Sequence, residues 1–290
     1  MQRNSGDSSG GAHGGGRFGC GDSGDEHRKD GDICAVPDRS SSSTSKETGK
    51  QKATAYAGTL GVDVVRAIRD LVAMARKTKG CELELRFGKM SDGKFEPGVT
   101  RCMMDKFINR LQTNVQMKSS NWSEIVDYFY PVMKDGRKLG ARSRVSYNTN
   151  YFVVEKEHCF KTKLKNVILC DPSSNVAFKI ELSQEQIFES YDMPQVAHPN
   201  FVRIQQRRSF LYGGNPPGNW KYDFSMTWKG TSKTDAEISQ SKEEPIFEFE
   251  IELTGKQYFE QHDDQYISQS LLMKALDFAG TSAALKIMSS

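Results

Sequence analysis

Seven residues late in the chain, Phe247-Glu248-Phe249-Glu250-Ile251-Glu252-Leu253, alternate without a break between large apolar and acidic side chains. A β-strand sends successive side chains to opposite faces, so Glu248, Glu250 and Glu252 share one face and Phe249, Ile251 and Leu253 the other. Aligned like charges destabilise a sheet. The acidic face therefore either meets water at a sheet edge or has cations opposite it.

A second copy of the pattern decides between these. Glu82-Leu83-Glu84-Leu85-Arg86-Phe87 puts Glu82, Glu84 and Arg86 on one face. Two such strands facing one another would gather four or five carboxylates around a point. A hard divalent cation stabilises such a cluster, because Mg²⁺ and Mn²⁺ favour oxygen ligands.

The middle of the chain inverts the charge. Arg142 and Arg144, Lys161 and Lys163, Lys179 and Glu181, then Arg203, Gln205, Arg207 and Ser209, then Lys221, Asp223 and Ser225 all recur at period two. One such pair is an ordinary solvated strand face. Five strands in succession predict a wall of cations, and together with the acidic strands they describe a barrel interior built for a polyanion and metal ions.

The rest of the sequence fits that frame. Helices are predicted over 58–79, ending at Gly80, and over 99–114, where Met103, Met104, Phe107, Ile108 and Leu111 form a core stripe. Strands are predicted over 124–130, 139–147 (across an Asp135-Gly136 turn), 151–155, 159–169 and 175–183. A hairpin joins 201–212 to 220–228, a polar mobile loop covers 230–245, and a helical segment covers about 256–288. Eight or so short strands with few helices predict a mainly β (α+β) fold, a closed eight-stranded antiparallel barrel with flanking helices.

Residues 1–52, with Gly14-Gly15-Gly16 and the serine run Ser40 to Ser43, bury too little apolar surface to fold and are expected to be a disordered tail, leaving 53–290 as the folded domain. A formal net charge of +3 argues against a nonspecific nucleic-acid coat while permitting a local basic channel. No apolar run approaches the roughly 20 residues needed to cross a bilayer, so no membrane partner is expected. The six cysteines have no Cys-x-x-Cys spacing and are expected to be reduced thiols. There is no Walker-type phosphate loop, and none of the cysteines has an arginine six residues on, which disfavours a covalent cysteine phosphatase.

These residues resemble a known family. Glu82-Leu83-Glu84-Leu85-Arg86 and Glu248-Phe249-Glu250-Ile251-Glu252 look like the two glutamate motifs of the triphosphate tunnel metalloenzymes, in particular the metal-dependent RNA triphosphatases of mRNA capping in fungi, protozoa and large DNA viruses. Arg203 to Phe210 and Trp220 to Ser225 resemble the family's basic strand and the strand after it. The resemblance spans about 80–255. It implies removal of the γ-phosphate from the 5′-triphosphate end of nascent RNA, with Mg²⁺ or Mn²⁺ as cofactor.

The resemblance also assigns roles. Glu82, Glu84 and Glu252 would hold the metal, Glu250 would orient the attacking water, and Glu248 would buttress the metal site. Arg144, Lys163, Lys179, Arg207 and Lys221 would act on the phosphates, with Asp223 fixing the cations. Arg86, Lys161, Glu181, Arg203, Gln205 and Ser225 would complete the substrate-binding wall. The family's basic strand has a lysine where this chain has Gln205, and Lys161 or Arg208 are the candidates to restore that charge. A separate guanylyltransferase would take the diphosphate product. The expected location is the nucleus, or the cytoplasm for a viral chain; the oligomeric state is left open. The alternatives are another tunnel triphosphatase, acting on inorganic polyphosphate or a nucleoside triphosphate, and a non-enzymatic anion-binding barrel.

Overall fold

The computed structural model describes residues 62–134, 137–147, 152–171, 173–174, 176–187, 198–213, 219–280 and 285–288. The expected tail 1–52, the Asp135-Gly136 turn and most of the turn between 212 and 220 lie outside the described residues. Among the described residues, no helix is long and apolar enough to cross a membrane.

Helix α1 (Val62–Lys77) buries Val64, Ile68, Leu71, Val72 and Ala75, a spacing that keeps one helical face apolar. Strand β1 (Cys81–Ser91) follows and turns back into the short β2 (Lys94–Pro97). Asp92 and Gly93 both take positive φ at that turn, 49° and 73°, as a two-residue primed hairpin requires. Helix α2 (Arg101–Gln112) is capped by Thr100, whose side chain accepts from the Met103 N–H.

The strands then come in sequence: β3 (Met117–Ser119), β4 (Ser123–Lys134), β5 (Arg137–Tyr147), β6 (Val153–Cys170), β7 (Val176–Ile187), β8 (Phe201–Tyr212) and β9 (Trp220–Gly230). Helix α3 (Lys233–Lys242), strand β10 (Ile246–Leu253), helices α4 (Lys256–Gln261) and α5 (Asp264–Ala279), and strand β11 (Lys286–Met288) complete the chain.

Eight strands run β10-β9-β8-β4-β5-β6-β7-β1, and β1 pairs back onto β10 to close the barrel; the pairings are antiparallel throughout. Closure removes the exposed edges that so many long strands would otherwise present. The fold class expected from the sequence is therefore the one observed.

The two acidic strands do not face one another across the barrel. They are hydrogen-bonded neighbours, with Glu84 opposite Glu252 and Arg86 opposite Glu250. The alternation cannot distinguish these arrangements, because it fixes the face of each side chain and leaves strand order open. Side-by-side pairing brings Arg86 against the β10 acids and relieves part of their repulsion.

Several expected boundaries also change. The segments expected as 151–155 and 159–169 are one 18-residue strand, β6, with a register shift between Lys163 and Lys165. The polar 230–245 segment contains α3, whose N-cap Ser232 accepts from the Asp235 N–H, so local capping outweighs a composition read as loop. The C-terminal segment is two helices and a strand rather than one helix.

The main core lies outside the barrel, between its wall and the helices. Leu83, Leu85 and Phe87 of β1 and Phe247, Phe249, Ile251 and Leu253 of β10 pack against Ile68, Leu71, Leu272 and Phe278. Phe249 is at its centre: its ring centroid is 4.5 Å from Phe224, 4.7 Å from Phe87, 4.9 Å from Phe278 and 5.1 Å from Phe107. The same alternation that packs this face turns the glutamates into the lumen. Phe249→Ala should cost about 3–5 kcal/mol of unfolding free energy, the range for deleting a buried ring. Denaturant melts giving less than about 1 kcal/mol would show that this cluster does not anchor the glutamate strand.

Candidate active site

The lumen holds a cavity of about 210 Å³ whose fourteen lining residues are all charged. Seven are cations (Arg86, Arg142, Arg144, Lys161, Arg203, Arg207 and Lys221) and seven are acids (Glu82, Glu84, Glu157, Glu185, Asp223, Glu250 and Glu252). Each acid strand lends its polar face to this lining, and the cations come from β5 (Arg142 and Arg144), β6 (Lys161), β8 (Arg203 and Arg207) and β9 (Lys221), with Arg86 from β1.

Contacts in the lumen run acid to base. Lys161 Nζ donates to Glu82 Oε2 at 2.6 Å, and Lys221 Nζ lies 2.6 Å from Glu252 Oε2 and 3.2 Å from Asp223 Oδ2. Arg86 stands between Glu84, at 2.8 Å, and Glu250, at 3.0 Å. Burial pushes the Glu84 carboxyl up from its ordinary range; Arg86 opposes the shift without cancelling it, and neighbouring Glu250 adds a smaller upward push. Burial works against ionised Glu250 too, but Arg86, then Arg207 and Arg203, outweigh it and hold that carboxyl down at about 2. Two neighbouring glutamates are thus driven in opposite directions by their surroundings.

Deeper in, Asp127 of β4 is fully buried and collects two guanidiniums. Arg144 Nε donates to Oδ1 at 2.7 Å and its Nη2 to Oδ2 at 3.1 Å, while Arg203 Nη2 donates to Oδ2 at 2.5 Å. Burial disfavours the charge, yet Arg203 and Arg144 hold the Asp127 carboxyl well below the usual carboxylate range. Beside this anchor, Thr227 Oγ1 donates to Glu248 Oε2 at 2.7 Å, and Gln205 Nε2 lies 3.3 Å from both partners. Arg207 Nε donates to Ser225 Oγ at 3.2 Å.

The expected site residues therefore fall into three groups. Glu82, Glu84, Arg86, Arg144, Lys161, Arg203, Arg207, Lys221, Asp223, Glu250 and Glu252 line the cavity. Gln205, Ser225 and Glu248 lie beside it in a buried hydrogen-bonded layer, with Glu248 engaged by Thr227 and Gln205. Lys163, Lys179 and Glu181 meet one another outside the lining, where Lys179 contacts Glu181 and Lys163 is 3.5 Å from it. Of the two candidates to restore the charge missing at Gln205, Lys161 lines the cavity. Arg208 turns to the outer wall and donates to Ser119 Oγ.

Three lining or anchoring residues are not singled out by the sequence: Asp127, Glu157 and Glu185. Arg142 joins the last two, at 3.1 Å and 3.3 Å. The signal for Glu185 is the period-two face Lys179, Glu181, Ser183 and Glu185, because β7 runs past the expected end at 183 to Ile187. Asp127 sits in a run of apolar and aromatic residues, where its lumenal direction follows only from the register with Arg144 and Arg203.

The donor set suits a hard cation. Glu84 Oε1 and Glu185 Oε1 are buried without a hydrogen-bond partner of acceptable geometry, although cations lie at contact distance from both. The carboxylates expected to hold metal, Glu82, Glu84 and Glu252, are each drawn toward a separate cation. Among the described residues, the trio with ligand atoms all within 4.8 Å of one another is Glu157, Cys159 and Glu185. Burial pushes the Cys159 thiol up to about 11, so that trio offers two oxygens and a protonated sulfur.

A closed antiparallel barrel whose lumen is lined by paired acids and bases, with glutamates alternating along two adjacent strands, defines the tunnel class of triphosphatases. Residues 68–274 match the family model described as mRNA capping enzyme, beta chain. The chain belongs to this family and is a metal-dependent, tunnel-type hydrolase of RNA 5′-triphosphate ends in mRNA capping.

Among solved structures, it is similar to S. pombe Pct1 RNA triphosphatase at 16% identity and a TM-score of 0.51, covering 74% of this chain and 91% of that one. The same protein in complex with the Spt5 CTD matches at 16% identity and a TM-score of 0.52, covering 75% and 92%. A Mimivirus capping enzyme triphosphatase matches at 10% identity and a TM-score of 0.48, covering 76% and 99%. No curated protein sequence matches significantly.

Proposed function

We propose that the lumen removes the γ-phosphate of a 5′-triphosphate RNA with Mg²⁺ or Mn²⁺ as the bound metal, leaving a diphosphate end for a separate guanylyltransferase. The observation that carries this reading is the charge balance of the cavity, seven cations against seven acids. A polyanion entering a balanced lumen strips cations from their carboxylates, and the freed acids then need positive charge. A divalent cation held by those acids would supply it and would polarise the γ-phosphate.

Phosphoryl transfer asks for positioning and charge neutralisation more than for covalent help. Arg203 and Arg144, fixed by Asp127, and Arg207, braced by Ser225, present guanidiniums to phosphate oxygens in pre-set directions. Lys161 and Lys221, held against Glu82 and against Glu252 and Asp223, would turn their ammonium groups to phosphate oxygens. Glu82, Glu84, Glu252 and Glu185 would hold the metal. Glu250 orients the attacking water by accepting its hydrogen bond, and Arg86 keeps Glu84 and Glu250 apart at a set distance. Glu248 and Gln205 support the layer beneath. The location that goes with this reading is the nucleus, or the cytoplasm for a viral chain.

The test is release of labelled γ-phosphate from RNA with and without metal. We expect hydrolysis with Mg²⁺ or Mn²⁺ and none in excess chelator; undiminished release in chelator would end the metal-tunnel reading. Tripolyphosphate and ATP in parallel separate an RNA enzyme from a general tunnel triphosphatase.

A further inference from the structure

On the outer wall, where β8 ends and β9 begins, a second cavity of about 630 Å³ lies against α5. Its walls are aromatic: Tyr212, Trp220, Tyr222, Tyr258 and Tyr266 surround it, and Lys274 enters from the helix. Trp220 meets Tyr258 edge-on at 5.8 Å, and Tyr266, half exposed, closes the rim. Lys274 Nζ lies 4.8 Å from the Trp220 ring centroid and donates to Ser270 Oγ at 2.8 Å. Among the described residues no carboxylate lies within 4 Å of it, so an ammonium with three donors has one oxygen partner. Burial pushes its pKa down to about 8. A half-exposed guanidinium, Arg110, stands over Phe278 at the same cavity.

The position of this pocket connects it to the lumen. Leu211 and Lys221 are paired across β8 and β9, and Lys221 lines the tunnel cavity. The next residues outward, Tyr212 and Trp220, turn to the other face and line the aromatic pocket. One residue step on each strand thus separates the two cavities. This is also the open end of the lumen. Glu82, Lys221 and Glu252 keep about a quarter of their side-chain surface exposed, whereas Asp127, Gln205 and Thr227 further in are closed off.

We propose that this pocket is a nucleobase subsite for the single-stranded RNA that trails the 5′-triphosphate. A strand whose phosphates lie in the lumen passes Lys221 and crosses the rim onto rings that stack on any base, with Lys274 and Arg110 facing its phosphates or base oxygens. Stacking platforms combined with cations are how proteins grip single-stranded RNA without a sequence requirement. The inference rests on the RNA-hydrolase reading.

The experiment compares wild type, Tyr266→Ala and Lys274→Met, both changes lying outside the tunnel. Three quantities are measured: kcat/KM for a 5′-triphosphate oligoribonucleotide, kcat/KM for tripolyphosphate, and affinity for the same oligonucleotide with a 5′-hydroxyl end. We expect each variant to lose about tenfold in kcat/KM on RNA, mostly through KM, and a similar factor in affinity for the 5′-hydroxyl RNA. Turnover of tripolyphosphate should stay unchanged, which also shows that the tunnel is folded. Unchanged RNA values in both variants would overturn the subsite and leave the pocket to a peptide partner. A parallel loss on tripolyphosphate would overturn it too, as a merely structural pocket. If wild type releases no phosphate from RNA yet binds the 5′-hydroxyl RNA in a Tyr266-dependent way, the subsite stands and the hydrolase reading falls.

Discussion

Glu84→Gln and Glu250→Gln should each lower γ-phosphate release by a hundredfold or more, while shifting stability in opposite directions. The loss of rate follows from removing a transition-state interaction of a few kcal/mol, since each ~1.4 kcal/mol is a factor of ten. The stability signs follow from the surroundings. Glu84 has a raised folded-state pKa, so its charge is less stable in the folded protein than in the unfolded chain, and a neutral glutamine relieves that strain. Glu250 has a lowered one, so its charge contributes stability above the unfolded pKa, and glutamine removes it. In chelator at neutral pH, Glu84→Gln should melt at or above wild type. Glu250→Gln should lose on the order of 1–3 kcal/mol. The exposed Glu260→Gln is the control and should change neither quantity. Near-wild-type turnover in both lumen variants would sink the site assignment. Equal melting shifts of the same sign would show that Arg86 does not divide the two acids as the geometry has it.

This pair also shows what the sequence could and could not disclose. The alternation in 247–253 determines that Glu248, Glu250 and Glu252 share a face, and the folded chain keeps that face in the lumen. The different fates of the three acids depend on depth and partners, which period two does not encode. Glu252 meets Lys221 near the open end, Glu250 meets Arg86, and Glu248 disappears into a layer with Thr227 and Gln205. The barrel was legible because eight amphipathic strands leave few other ways to bury their apolar faces. Strand order and register were not. Lys163, Lys179 and Glu181 carry the right chemistry, and Lys179 and Glu181 stand in register beside Arg86 and Glu84 of β1, yet the three meet one another outside the cavity lining. The same ignorance of register hid Asp127, whose importance comes wholly from what stands beside it.

Asp127→Ala should be the most damaging single change in the lumen for folding. The carboxylate is fully buried and bridges Arg144 and Arg203, which are themselves largely enclosed. Removing one partner of a buried ion pair leaves the other charge without compensation and costs about 3–5 kcal/mol. For a domain of this size that lowers Tm by roughly 10 °C. Asp127→Asn keeps the shape and should lose less, but both variants should raise KM for the triphosphate, because the two guanidiniums lose the group that aims them.

The pH dependence supplies an independent check. The folded pKa of Asp127 lies below its unfolded value, so its stabilisation is present above the ordinary aspartate range and disappears as pH falls through the folded value. Wild type should therefore lose stability steeply on acidification below about pH 4, and Asp127→Asn should lose less over the same interval. The measurement is Tm against pH for the three proteins, with KM for the RNA substrate at neutral pH. A Tm for Asp127→Ala within about 1 °C of wild type would mean that Arg144 and Arg203 find other partners. The lumen would then be held by its backbone closure, and the buried triad would not be what orients the phosphate-binding wall.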